Sequence, residues 1–317
     1  MQKRKLSDIC MSICAIIVTY NPDVSMLLTL IESVDKQVDV LCIVDNGSSA
    51  DFYLNFPFDY ISNFKFIKLE DNFGLGTALN KGIELARKLG MEFVLFLDQD
   101  SICSQGMVSC LVKHYKECTL LKVAEIGPRF IDINNSNISQ HVNYRTLRVG
   151  HIPCPEKLSV VQTDVLITSG SLIPIHVLDF VGPMDESLFI DHIDTEWCLR
   201  AKSKGYVLLG DCEALMSHNL GEYRKRIWFI YWREVPVHKA FRYYYIFRNS
   251  VLLYHRKYVP WSWIRIDLIR LIEIFGFTLL FGPYRLDKIT MMFQGIRDAF
   301  LGKTGKLPSC QNRNSDS

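Results

Sequence analysis

The sequence predicts an α/β fold built on a mostly parallel sheet. Over the first hundred residues, short apolar runs alternate with amphipathic segments of helical length, and each apolar run ends in polar, turn-forming residues. With 49% hydrophobic and 22% charged residues, the 317-residue chain can fill a sizeable core as one large domain or two small ones. Strands that alternate with helices in this way form parallel sheets covered on both faces, and such sheets bind ligands beyond the carboxyl ends of their strands.

The strand candidates are residues 13–18, 40–44, 64–69 and 93–97, and the helix candidates are 25–34, 77–89 and 105–116. Lys3, Arg4 and Lys5 before the first run could suggest a signal peptide. That run is short, has no small-residue cleavage site and leads into Thr19-Tyr20-Asn21-Pro22, so a first buried strand is expected. Residues 130–165 are polar and lack helical periodicity, as an inserted loop or edge strands would be. A second regular block follows, with a strand at 165–172, helices near 174–181 and 195–204, and a strand at 206–209.

From residue 237 the pattern is helical, with Phe241, Tyr244, Tyr245, Phe247 and Arg248 crowded together. The apolar segment 264–281 contains Arg265, Asp267, Arg270 and Glu273. Its uninterrupted part, 274–281, is far shorter than the roughly 20 residues a membrane span needs. It can lie in a membrane interface or pack on the protein's own core. The expected organisation is a catalytic domain at 1–222, a basic, aromatic helical extension at 223–306 and a disordered tail at 307–317.

The ten cysteines form no CxxC pair and show no regular spacing with histidines, which argues against a zinc ribbon or a disulfide framework and for reduced thiols. Charge divides unevenly. Residues 1–222 hold 19 basic against 28 acidic side chains, a net −9, and residues 223–306 hold 16 against 5, a net +11. A basic aromatic extension on an acidic body suits an anionic membrane surface or a phosphorylated lipid, or it neutralises the body; it does not call for nucleic acid.

Four strand ends carry the chemistry: Thr19-Tyr20-Asn21-Pro22, Asp45-Asn46-Gly47-Ser48, Asn72-Phe73-Gly74-Leu75-Gly76 with Asn80, and Asp98-Gln99-Asp100. One such end is an ordinary turn; four on one sheet edge are a ligand site. Asp98 and Asp100, one residue apart after a buried strand, repel unless a hard divalent cation such as Mg²⁺ or Mn²⁺ lies between them. The glycines of 72–76 lack the third small residue of a dinucleotide fingerprint, because Leu79 stands there. A triphosphate-binding loop would be rich in glycine and lysine, and Thr19-Tyr20-Asn21-Pro22 is not, which argues against a nucleotidyltransferase. Asp191, Asp194 and Glu196 crowd a helix start, where one can be a cap, one can pair with Arg200, and one can be a general base. His218, after an apolar run, is a candidate third metal ligand.

This order of motifs resembles family 2 glycosyltransferases of the GT-A fold. Gly182-Pro183-Met184-Asp185-Glu186, Phe189-Ile190-Asp191 and Asp194-Thr195-Glu196-Trp197, with Arg248-Asn249 and residues 302–306, are similar to bacterial rhamnosyltransferases that build O-antigen and related polysaccharides. The resemblance implies inverting transfer, with dTDP-L-rhamnose as donor and a UDP-hexose or galactofuranose donor as the alternative. It implies a lipid-linked saccharide acceptor and a cytoplasmic enzyme peripheral on the inner face of the cell membrane. A non-catalytic sugar-nucleotide-binding assembly protein is the rival from another class.

By the same resemblance, Thr19, Tyr20, Asn21, Asp45, Asn46, Asn72, Gly76, Asn80, Asp98 and Gln99 bind the donor. Asp98, Asp100 and His218 hold the metal, Asp194 is the base, and Asp191, Glu196, Trp197 and Arg248 lie on the acceptor side. Two positions depart from the family's pattern. Asn46 replaces a second acidic residue, and Ile193 stands where many members have Glu before the base, which leaves Asp191 and Glu196 as alternative bases.

Overall fold

A computed structural model describes residues 11–58, 64–132, 138–144, 149–218, 224–229, 231–236 and 238–308. The first half alternates as expected: β1 (Ile13–Thr19), α1 (Val24–Val34), β2 (Val40–Asp45), α2 (Ala50–Asn55), β3 (Phe64–Lys68), α3 (Leu75–Lys88), β4 (Phe93–Asp98), β5 (Ser101–Cys103) and α4 (Met107–Glu117). Strands β3, β2, β1 and β4 lie side by side and parallel, so all four carboxyl ends meet on one edge. The remaining strands are β6 (Val123–Asp132), β7 (His141–Asn143), β8 (Gly150–Ile152), β9 (Val160–Thr163), β10 (Leu172–Pro174) and β11 (Val207–His218). The sheet continues from β4 through antiparallel β10 to β6 and β11, and β5 and β9 pair antiparallel with opposite ends of β11. Helices α5 (Ile175–Val181) and α6 (Ile193–Ser203) intervene.

The two-residue period of β1 divides the core. Ile13, Ala15 and Ile17 face a cluster with Leu27, Leu30 and Leu111, while Cys14 and Ile16 face one with Leu79, Ile83 and Trp197. Helices therefore cover both faces, which explains why the strand is apolar throughout. Helix α1 starts at Asp23, whose carboxylate accepts from the Met26 N–H at 3.0 Å. Helix α3 lies close over β1 because Gly82 has no side chain; a Cβ there would stand 2.4 Å from Ile16 Cγ2.

Several expectations change. Of segment 165–172, only Leu172 is in a strand, β10. The strand expected at 206–209 runs to His218. The extension opens with an antiparallel hairpin, β12 (Arg224–Phe229) and β13 (Tyr231–Pro236), before α7 (Ala240–Tyr254), α8 (Trp261–Phe281) and α9 (Arg285–Phe300). Leu307, expected in the tail, is buried and donates its N–H to the Tyr245 hydroxyl at 2.7 Å; residues 309–317 lie outside the described residues, as do Lys3, Arg4 and Lys5. The thiols are not all reduced, since Cys154 is bonded to Cys212. Among the described residues no helix is long and apolar enough to cross a membrane.

Helix α7 is the most buried of the last three, with Tyr243–Val251 inaccessible as a block. Helix α9 approaches its backbone at Gly295, where a Cβ would stand 2.4 Å from the Tyr244 carbonyl oxygen. Helix α8 buries Asp267 against Arg270 (2.8 Å) and the Tyr254 hydroxyl (2.7 Å), and exposes Leu268, Ile269, Ile272, Leu279 and Leu280.

The close fit of α3 on β1 is directly testable. Gly82→Ala will destabilise the fold by about 1–3 kcal/mol through overpacking. In chemical denaturation, Gly82→Ala combined with Ile16→Ala will lose less than the sum of the single losses, and additivity would refute the contact.

Candidate active site

The loop after β2 is organised by Asp45, which has no exposed surface. Its carboxylate accepts from Thr19 Oγ (2.9 Å), the Ser48 N–H (2.9 Å) and hydroxyl (2.5 Å), and the Tyr53 hydroxyl. A buried charge needs such a full set of donors. Gly47, at φ +82, lets the turn pass against the backbone of Asp71 and Asn72. Asn46 joins this turn to the loop after β3, donating to Asn72 Oδ1 (3.1 Å) and accepting from the Phe73 N–H (3.0 Å). Asn21 meets the same turn, its Oδ1 accepting from the Ser49 N–H and its own N–H donating to Ser48 Oγ, both at 2.8 Å.

Asp98 ends β4, in register with Val18 of β1, and Asp100 lies in the turn before β5. The backbone of this turn is fixed on two sides. The Asp98 N–H donates to Ser169 Oγ (2.9 Å), which also pairs with Ser101 Oγ (2.8 Å), and Gln99 Oε1 accepts from the Tyr20 N–H (2.8 Å). Asp98, Gln99 and Asp100 are all half-buried. The β5–β11 register sets His218 opposite Ser101, next to Asp100; the His218 side chain lies outside the described residues. Two carboxylates one residue apart offer hard oxygen donors, a set that fits Mg²⁺ or Mn²⁺.

The third component is the turn before α6. Phe189 (φ 65), Asp191 (φ 63) and His192 (φ 63) all adopt positive φ, which non-glycine residues avoid. Helix α7 holds this turn. Asn249 Nδ2 donates to the carbonyls of Leu188 (3.0 Å), Ile190 (2.7 Å) and Asp191 (3.0 Å), and Arg248 donates to those of Leu188 (2.9 Å) and Gly305 (2.6 Å). Arg242 pairs with the Asp191 carboxylate at 3.1 Å. On its other side, the Phe189 carbonyl accepts from the Leu75 N–H at 2.7 Å, joining the turn to the loop after β3.

Asp194 follows in the first turn of α6. Burial and then the nearby Asp191 charge raise its carboxyl above the ordinary value of 3.8, while the N–H and hydroxyl of Thr195 pull it down. Burial pushes the carboxyl of Glu125 on β6 up to about 8, and the charge of Asp194 adds to that rise. The loop 164–171 links this region to the aspartates, since Cys198 of α6 donates to the Leu166 carbonyl while Ser169 holds Asp98.

Three residues expected on the acceptor side are buried. Glu196 is inaccessible, with both carboxylate oxygens on Arg200 (2.8 Å each) and one also on the Tyr258 hydroxyl. Trp197 packs in the core and donates to the Gly182 carbonyl at 3.0 Å. Arg248 is inside the protein, behind the turn. These three side chains are spent on protein partners that brace α6 and the turn before it.

Thr19, Asp45 and Asn46 are likewise buried, and they hold the loops after β1, β2 and β3 together. Asn80 binds Met184 and Glu186, and Gly76 gives α3 clearance from Asp185 and Glu186. Tyr20 (47% exposed), Asn21, Asn72, Asp98, Gln99 and Asp100 retain accessible surface. Sequence reasoning missed Arg242 and gave Asn249 no role at the site, although the adjacent Arg248-Asn249 pair inside an aromatic helix was among the motifs it singled out.

Residues 14–175, more than half the chain, match the model of the glycosyl transferase family 2. The chain is 34% identical over 250 residues to a dTDP-rhamnosyl transferase, RfbF, of Shigella flexneri, covering 78% of this chain and 82% of that one. It is 25% identical to the poly-β-1,6-N-acetyl-D-glucosamine synthase of Staphylococcus aureus, over 59% of this chain and 45% of the other. Among solved structures, S. aureus TarS residues 1–349 in complex with UDP-GlcNAc superpose with a TM-score of 0.57 at 17% identity, covering 91% of this chain and 81% of that one. GalNAc-T7 with UDP, GalNAc and Mn²⁺ gives 0.55 at 15% identity, covering 66% and 44%. The parallel sheet with four polar strand ends is thus the GT-A fold, and the chain belongs to glycosyl transferase family 2, as a glycosyltransferase.

Proposed function

We propose that this glycosyltransferase moves L-rhamnose from dTDP-L-rhamnose, with inversion, onto a lipid-linked saccharide in the synthesis of a cell-surface polysaccharide. The observation that carries the chemistry is Asp194, a carboxylate of raised proton affinity in the first turn of α6, directly after a turn held by three side chains of α7. The donor sugar is supported by the 34% identity to the S. flexneri dTDP-rhamnosyl transferase.

In this reading Asp194 takes the proton of the acceptor hydroxyl as that oxygen attacks the anomeric carbon from the face opposite the diphosphate. Thr195 fixes the orientation of its carboxylate, and Arg242 holds Asp191 beside it. Tyr20, Asn21, Asn72 and Gln99 line the donor side, on loops kept in place by Asp45 and Asn46. Asp98, Asp100 and His218 would hold Mg²⁺ or Mn²⁺, which when bound supplies positive charge against the leaving diphosphate.

Residues 1–222 then serve as the donor and catalytic part, and 223–306 as the part that meets acceptor and membrane from the cytoplasmic side. The net +11 of the extension and the exposed Trp261, Ile272, Leu280, Phe293 and Phe300 support a peripheral membrane contact. Mass spectrometry of a donor panel containing dTDP-rhamnose, UDP-hexoses and UDP-galactofuranose, with the native lipid-linked acceptor, tests the sugar assignment; transfer from a UDP donor alone would overturn it.

Asp194→Asn will lower turnover by about a hundredfold or more while donor affinity stays near wild type. Wild-type turnover in that variant would remove Asp194 from the base role. Because the base must be ionised, the rate falls as pH drops through its raised pKa, so the acid limb of the kcat profile will lie above 3.8. Asp191→Asn, by removing a neighbouring negative charge, will move that limb to lower pH, and a limb that does not move would contradict the coupling. Asp100→Ala will weaken divalent-ion-dependent binding of dTDP in calorimetry. Full activity in excess chelator would exclude the metal.

A further inference from the structure

Strand β11 loses register with its partner β6 at two places, after Val207 and, by more residues, after Gly210. Gly210 is opposite Gly127 and Leu215 opposite Arg129, so Asp211–Ala214 stand against Pro128 alone. Proline has no N–H to give the ladder, and a bulge is where a sheet tolerates it. The bulge carries the sequence Asp211-Cys212-Glu213, and helix α4 packs over it with Cys110 and His114, one helical turn apart on the same face.

Four side chains converge there. His114 is 1% exposed, and its Nδ1 shares a 2.7 Å hydrogen bond with Asp211 Oδ2. Asp211 is fixed in turn by the N–H groups of Glu213 and Ala214, each at 2.8 Å from Oδ1. His114 Nε2 is buried and has no hydrogen-bond partner among the described residues; Glu213 Oε2 lies 3.7 Å from it. One donor atom each from Cys110, His114 and Glu213 lies within 4.8 Å of the others.

We propose that Cys110, His114 and Glu213 bind a Zn²⁺-class ion, separate from the hard-cation site at Asp98 and Asp100. A buried imidazole nitrogen without a partner is costly, and a metal ion meets its need directly. With Nδ1 paired to Asp211, Nε2 is left for an ion, the arrangement in which a carboxylate orients a metal-bound histidine; Cys110 Sγ, 3.7 Å from both Nδ1 and Asp211 Oδ1, gives up those contacts to ligate.

A thiolate, an imidazole and a carboxylate select zinc over magnesium or calcium. Ligand atoms around tetrahedral zinc stand about 3.5 Å apart, and Glu213, 55% exposed, can move to close the remaining gap. Binding displaces the Cys110 proton to solvent and leaves the fourth position to water. The ion would join α4 to the bulge on the strand that carries His218 at its end. The Cys154–Cys212 disulfide ties the same bulge to the segment before β9.

The full chain, stripped with chelator and dialysed without reductant, is to be titrated with Zn²⁺ against a chromophoric chelator and separately with Co²⁺. Asp98→Asn/Asp100→Asn serves as the background, so that the nucleotide site does not report. We expect one zinc per chain, a thiolate-to-cobalt charge-transfer absorption and a rise in thermal midpoint with zinc. Cys110→Ser will remove the charge-transfer band, His114→Ala will lower zinc affinity by at least tenfold, and Cys118→Ser will change neither. Glu213→Gln, a surface change that leaves the fold intact, will also weaken zinc binding. Absence of stoichiometric zinc, a cobalt spectrum without the thiolate band, or equal affinity in the Cys110, Glu213 and parent proteins would overturn the proposal.

Discussion

The constraint on which the rest of the site depends is the grip of α7 on the turn before α6. Three non-glycine residues at positive φ within four positions cost on the order of 1–3 kcal/mol each. Such a turn persists only where its surroundings define it more than once. Asn249 supplies three hydrogen bonds to its carbonyls, Arg248 supplies a charged donor, and Arg242 fixes Asp191. The C-terminal helices are therefore not an appendage to the sheet. Without Arg248 and Asn249 the backbone that delivers Asp194 has no reason to keep its shape.

The loops after β2 and β3 follow the same logic with a different centre. Asp45 is a buried carboxylate that gathers Thr19, Ser48 and Tyr53, and Asn46 carries the order to Asn72 and Phe73. Polar residues at strand ends thus divide into two kinds. Some, such as Asp45 and Asn80, are consumed in holding loops together; others, such as Tyr20, Gln99 and Asp98, keep accessible surface. Replacing a consumed residue moves several exposed ones at once, so loss of activity on mutation of Asp45 would not show contact with the nucleotide.

The parallel half of the sheet was legible because β1 and β4 are apolar at every position before their last residue, and their polar ends are short and close in sequence. The division between framing and facing residues was not legible, since Thr19 and Tyr20 are equally polar in a sequence and only the register of Thr19 with Asp45 buries the former. The bulge of β11 was hidden for a related reason: Asp211, Cys212 and Glu213 interrupt the hydrophobic pattern, so the strand reads as ending at 209. Burial of Glu196 was half visible, because its spacing of four from Arg200 is that of a helical ion pair. The Tyr258 hydroxyl that completes its shell comes from 62 residues away, and no local pattern announces it.

The protonation of Asp194 joins these parts. Burial alone would push a carboxylate toward the neutral form and make it a poor base, while a helix N-terminus and the Thr195 donors favour the anion. The competition leaves a group that binds a proton more readily than an exposed aspartate. A proposed general base needs that balance, because a carboxylate of ordinary pKa has little affinity for a hydroxyl proton. The opposing influences have separate origins: burial comes from the core, the charge from Asp191 held by Arg242, and the dipole from the entry that α7 enforces. The proton affinity of one side chain is therefore set by the sheet, the helix start and the C-terminal extension together.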